Sequence, residues 1–148
     1  EGTLKLDNNF MPIQVDEGDE IYQNGIFHFN ITKMTSFIRN HLDEFVSDRV
    51  AVKDYCKDFS LINENYMKSV QSSDPVILAE IAPDKYNLID GNHRMEKARK
   101  SGEKYILAYR VNVNQHLNFM TSKKAYVTYV EYWNSKIKDM EEMRRTLI

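Results

Sequence analysis

The run Leu88-Ile89-Asp90-Gly91-Asn92-His93-Arg94-Met95-Glu96-Lys97-Ala98 gathers the residues best suited to chemistry. It reads as a strand that Gly91 breaks, then a helix whose first residues are Asn, His and Arg. The first N–H groups of a helix have no backbone acceptor and lie at the positive end of its macrodipole. A glycine just before them lets a ligand approach the backbone closely. Together these features make an anion site of the kind that holds phosphates. Arg94 adds a planar, permanently charged fork, and His93 a donor whose charge varies near neutral pH. Asp90 is awkward beside an anion unless a cation, a hydroxyl or Arg94 neutralises it. Its position suits a Mg²⁺ contact or a general base. The plainer alternative is an ordinary helix start, with Asn92 as cap, His93 and Arg94 in water, and Asp90 a second cap or the partner of Arg94.

Other reactive side chains are scattered. Glu80 sits near the end of a very apolar strand, where a charge is costly unless paired. It reads either as a substrate-facing base or as a strand-end residue pointing into water. His28 alternates with Phe27 and Phe29, which suits a hydrogen-bonded core histidine better than a ligand. His41 and His116 have no partner at metal-ligand spacing, so no transition metal is assigned. Lys97, Arg99 and Lys100 read as a solvated helix face. Cys56 is the one cysteine, which excludes an intrachain disulfide and the multi-cysteine zinc sites.

The elements that must position these groups follow from pattern. Met11–Val15 reads as a short strand with Pro12 near its start, and Asp16-Glu17-Gly18-Asp19-Glu20 as a solvated turn without calcium-loop spacing. Ile31–Asn40 is expected to be helical, with Ile31, Met34, Phe37 and Ile38 on one face. His41–Ser60 suggests a strand or an irregular crossover. Asn63 caps an expected helix through Gln71, which Pro75 keeps from continuing. Val76–Ile81 is a buried strand, turned by Ala82-Pro83-Asp84-Lys85 into a second, Tyr86–Asp90. Asn92–Ser101 is a helix closed by Gly102, and Tyr105–Val113 a third strand. Tyr126, Val130, Trp133, Ile137 and Met140 then mark one apolar stripe on a helix over about 122–146. That stripe is expected to pack on the domain, with a dimer seam as the lesser option.

The 148 residues suit one domain, with 20 basic against 22 acidic side chains, a formal charge of −2 and a pI near 6.1. That balance argues against a dedicated nucleic-acid binder. No run approaches the ~18 apolar residues that a membrane helix needs. The start of the chain lacks a signal-peptide layout, so a cytoplasmic setting is expected.

Ile89-Asp90-Gly91-Asn92-His93-Arg94, followed by Ala98 and Gly102, resembles the Gly-x-x-Arg box of the ParB/sulfiredoxin-like superfamily. About fifty residues, Asn63 to Val113, share its register, including the helix and Pro-led strand before the box. Met11–Val15 matches its first strand, and the C-terminal helix lies outside the resemblance. Members use this box for nucleotide phosphates. Sulfiredoxins carry a catalytic Cys where this chain has Asn92, so sulfinic-acid repair is not expected. ParB proteins bind CTP and go on to a helix-turn-helix domain, which residues 114–148 do not spell. Archaeal free-serine kinases carry an Asp-Gly-His-His-Arg box, the spelling most similar to Asp90–Arg94, and transfer phosphate from ADP with a carboxylate as base.

The resemblance implies one α/β domain over 1–148, a small mixed sheet with helices, whose core spans about 11–113. It implies phosphate binding at Gly91, Asn92, His93 and Arg94, with Asp90 and Glu80 as catalytic carboxylates and Asp90 as Mg²⁺ ligand. ATP, ADP or CTP with Mg²⁺ is the expected cofactor, serving phosphoryl transfer to a small molecule or nucleotide hydrolysis. The alternative is a non-catalytic module whose nucleotide binding regulates association with protein or DNA; a homodimer fits either.

Overall fold

Val76-Ile77-Leu78-Ala79-Glu80-Ile81 carries apolar side chains on both faces, as a strand does when both faces of its sheet are covered. The computed structural model, which describes residues 2–55 and 75–147, bears this out. The chain runs β1 (Ile21–Asn24), β2 (Phe27–Asn30), α1 (Ile31–Asn40), β3 (Val46–Ala51), α2 (Val52–Tyr55), β4 (Val76–Ala82), β5 (Lys85–Asp90), α3 (Asn92–Lys100), β6 (Tyr105–Val111), α4 (Val113–His116) and α5 (Lys123–Leu147). Among the described residues, β1 and β2 form a hairpin, and a mixed sheet has the order β3-β6-β4-β5. β6 is parallel to β4 and antiparallel to β3, while β4 and β5 are antiparallel. The architecture is the expected mixed α/β one. Cys56 and the helix expected at 63–71 lie outside the described residues.

Strand alternation divides the interior in two. Ile77, Ala79, Ile89 and Val111 face a core built with Phe29, α1 and α5. Val76, Leu78, Leu88 and Ala108 face a second core with Met95 and Ala98 of α3. α1 starts at Asn30, whose side chain accepts from Lys33 N at 3.0 Å, and buries Ile31, Met34 and Ile38 as its spacing requires. α5 buries Tyr126, Val130, Trp133 and Ile137 of the expected stripe but leaves Met140 36% exposed, and Ser122 Oγ before it accepts from Ala125 N.

Three expectations need correction. Met11–Val15 is not a strand: among the described residues its one backbone–backbone bond to a distant segment runs from Ile13 N to Met120 O, and Met11 is 83% exposed. The third strand stops at Val111 because Asn112 and Gln115 form a reciprocal capping box that starts α4. His28 is not a core residue; its ring bonds to Gly25 O at 2.8 Å and closes the β1–β2 turn. The buried histidine is His116.

Candidate functional site

Asp90 ends β5, and α3 begins two residues later. Gly91 between them has φ 102, in the left-handed region that favours glycine. Its second constraint is packing: a Cβ there would lie 2.5 Å from Val76 Cγ1 and 2.9 Å from Val76 Cβ. The bare side of this glycine therefore faces β4 and not an approaching ligand. Gly91 O accepts from Met95 N at 2.9 Å, the first bond of α3, and no side chain caps the helix.

Arg94 Nη2 donates to Asp90 Oδ2 at 3.0 Å, a partly buried pair one helical turn apart. Arg94 Nε is buried with no hydrogen-bond partner among the described residues. A pocket of about 230 Å³ opens here, lined by Glu20, Tyr22, Asp90 and the residues Gly91, Asn92, His93 and Arg94. A second pocket of about 160 Å³, lined by Thr35, Arg39 and Tyr109, shares Asp90 and Arg94 with the first. The ion pair is thus a wall common to both.

Glu20 is the pocket residue that sequence pattern does not pick out. The acidic stretch does turn, with Asp19 N donating to Asp16 O, but the start of α1 grips its end. Glu20 N donates to Thr32 Oγ1 at 2.8 Å, and Glu20 O accepts from Ile31 N at 2.8 Å. Asn30, fully buried, donates from Nδ2 to Asp19 Oδ2 at 2.8 Å, and this bond holds the Asp19 carboxyl below its usual range. Glu20, an exposed residue, lines the same pocket as the Asp90–Arg94 pair. Desolvation, and next the Asp90 carboxylate, raise its pKa, while Arg94 opposes them.

Glu80 is elsewhere. It lies opposite Tyr86 in the β4–β5 ladder, whereas Asp90 lies opposite Ile77, three residues back along β4 and roughly 10 Å away. It does not point into water either, being 2% exposed. Its carboxylate accepts from Asp84 N at 3.0 Å and from Val113 N at 3.1 Å, so it ties the β4–β5 turn to α4. Its carbonyl accepts from His116 Nε2 at 2.6 Å and from Tyr129 OH. Burial lowers the His116 pKa to about 4. These groups form a buried structural network apart from the pocket.

The pocket therefore holds two carboxylates, Glu20 and Asp90, one guanidinium and an uncapped helix start. Carboxylate oxygens suit a hard cation, and helix N–H groups with Arg94 suit phosphate. Among the described residues no three His, Cys, Asp or Glu side chains are grouped to hold a metal, so phosphate oxygens would have to complete such a shell. No helix among them is long and apolar enough to cross a membrane. The chain matches no family model, no curated protein and no solved structure.

Proposed function

We propose that the pocket between Glu20 and Gly91–Arg94 binds the phosphates of a nucleotide together with Mg²⁺, and serves phosphoryl transfer to a small molecule or nucleotide hydrolysis. The observation that carries this reading is the meeting of Glu20 with the Asp90–Arg94 pair at the uncapped start of α3. With Glu20 and Asp90 ionised, the two carboxylates and Arg94 sum to −1, so a bare anion is poorly served. Asp90 would hold the cation, which would neutralise phosphate charge when bound. Asn92, His93 and Arg94 supply backbone N–H groups to phosphate oxygens, and the Arg94 side chain clamps them. Glu20, whose pKa is raised, takes the proton from the attacking hydroxyl or water; Asp90 is already committed to Arg94. The resemblance of Asp90–Arg94 to the superfamily box supports the same reading, and leaves ATP, ADP and CTP as candidates.

The test is a thermal-shift and calorimetry series with ATP, ADP, CTP and GTP, with and without Mg²⁺. A ligand at ~100 times its Kd should stabilise the fold by about 2.7 kcal/mol. Arg94→Ala should weaken binding roughly ten- to more than a hundredfold, since a charge-assisted contact is worth ~1.5–3 kcal/mol. Glu20→Gln should abolish turnover and spare nucleotide affinity. No shift with any nucleotide, or unchanged affinity in folded Arg94→Ala, refutes the reading. Binding without turnover across candidate acceptors would establish the regulatory module instead.

A further inference from the structure

Glu20 is exposed and belongs to a loop, yet the main chain that carries it is tied to a firm element of the fold. Asn30 is fully buried, and Ile31, Met34 and Ile38 set α1 into the core. A helix start leaves N–H groups without acceptors in the helix itself. Here the acidic loop supplies one acceptor: Ile31 N donates to Glu20 O at 2.8 Å, while Lys33 N donates to Asn30 Oδ1 at 3.0 Å. The loop is held in return. Glu20 N donates to Thr32 Oγ1 at 2.8 Å, so both main-chain polar groups of Glu20 end on the first two residues of α1. Asn30 Nδ2 donates to Asp19 Oδ2 at 2.8 Å, and the same oxygen accepts from Asp16 N at 2.9 Å. Lys33 Nζ donates to Gln14 O at 2.6 Å and lies 3.1 Å from Asp16 Oδ2. Ile31 also lines the pocket, so the helix start is wall and anchor at once.

An exposed carboxylate gains no order from burial, so its reach into the pocket depends on where its main chain is held. That placement matters to chemistry, because a shift of about 1 Å in a reacting group can cost about a hundredfold in rate. We infer that Thr32 and Asn30 are positioning residues for Glu20: by fixing residues 19 and 20 on the start of α1, they keep its carboxylate where it accepts a proton. Neither side chain lines the pocket, so neither is needed to bind nucleotide. The inference rests on the proposed role of Glu20 as proton acceptor, and extends it to two residues that act only through that acid.

The experiment is steady-state turnover by the full chain with ATP, ADP, CTP or GTP and Mg²⁺, across the same candidate acceptors. Thr32→Val keeps the shape of the side chain and removes the oxygen that accepts from Glu20 N. It should lower kcat at least about tenfold and leave KM within about twofold of the parent. Thr32→Ser restores the oxygen and should recover most of the rate. Asn30→Asp keeps an oxygen for Lys33 N but sets an acceptor against the Asp19 carboxylate, and should lower kcat in the same way. Should that buried change prevent folding, the Thr32 pair decides alone, since Thr32 is exposed. In a Glu20→Gln background Thr32→Val should slow the residual rate no further, the mark of a residue that works through Glu20. A parent without turnover removes the catalytic reading and this inference with it. With an active parent, the inference alone is overturned by a Thr32→Val variant that turns over as fast, loses affinity in step with rate, is not rescued by serine, or is slowed equally in the Glu20→Gln background.

Discussion

Gly91→Ala separates a glycine needed for packing from one needed for ligand access. The added methyl would meet Val76 Cγ1 at 2.5 Å and Arg94 Nη2 at 3.0 Å, with φ held at 102. A left-handed conformation costs an L-residue roughly 1–2 kcal/mol. Forcing a methyl into a filled interior adds about 1–3 kcal/mol, and Val76 is fully buried. The sum is about 2–5 kcal/mol, a large part of the ~5–15 kcal/mol that holds a domain of this kind. Urea denaturation should show a lower midpoint at an unchanged slope. Gly91→Asn sharpens the test, because asparagine tolerates positive φ but carries the same Cβ; it should fail nearly as badly as alanine. Val76→Gly removes both clashing atoms, so Gly91→Ala should cost less in that background, with a coupling of about 1 kcal/mol or more between the two sites. If Gly91→Ala melts like the parent, or Gly91→Asn restores full stability, close packing on Val76 is not what requires glycine.

Two further outcomes follow from the buried network. Glu80→Gln replaces an oxygen that accepts a backbone N–H with an amide NH₂, so either Asp84 N or Val113 N loses its acceptor. The expected loss is about 1–3 kcal/mol by chemical denaturation, with nucleotide affinity of the folded variant unchanged. His116 stays neutral when folded down to a pH of about 4 and binds its proton near 6.5 when unfolded. Stability should therefore fall as pH drops from 6.5 towards 4, by about 3 kcal/mol from this group at the lower end. Urea midpoints at several pH values should show a shallower slope in that window for His116→Gln, and an identical slope would exclude His116 as a source of the acid sensitivity.

What the sequence reveals here is whatever is decided locally. The β4–β5 hairpin, the Gly91 break, α3 with Gly102 behind it, and most of the α5 stripe follow from turn chemistry, glycine and period, and all are present. Glu20 could not be found that way. It reaches the pocket through bonds from Thr32, Ile31 and Asn30 to a loop at least ten residues earlier, and no spacing rule encodes that distance. Glu80 departs from its expected role for a related reason. A carboxylate on an apolar strand survives burial by accepting two backbone N–H groups, one from Val113, 33 residues away. Met11–Val15 has strand composition, but composition supplies no neighbour to pair with.

The pocket's charges also bear on how phosphate and cation would depend on one another. Asp90 holds one nitrogen of the Arg94 fork at 3.0 Å, so the guanidinium is not wholly available to an anion. Desolvation, and after it the Asp90 carboxylate, raises the Glu20 pKa, so the two carboxylates of the pocket oppose each other's charge. On the proposed reading, a cation beside Asp90 would relieve that repulsion and weaken the hold of Asp90 on Arg94, freeing the fork for phosphate. Phosphate in turn supplies the oxygens that two carboxylates alone do not. Each partner would then raise the affinity of the pocket for the other, and linkage would make that gain equal in both directions. Asp90→Asn breaks the circuit in both limbs: Arg94 is released without any cation, and Glu20 loses the neighbour that raised its pKa. On the proposed reading, the Mg²⁺ dependence of nucleotide binding would be held chiefly by Asp90, and the proton-accepting role by Glu20. The two acids, drawn from segments seventy residues apart, divide the work that either alone would do poorly.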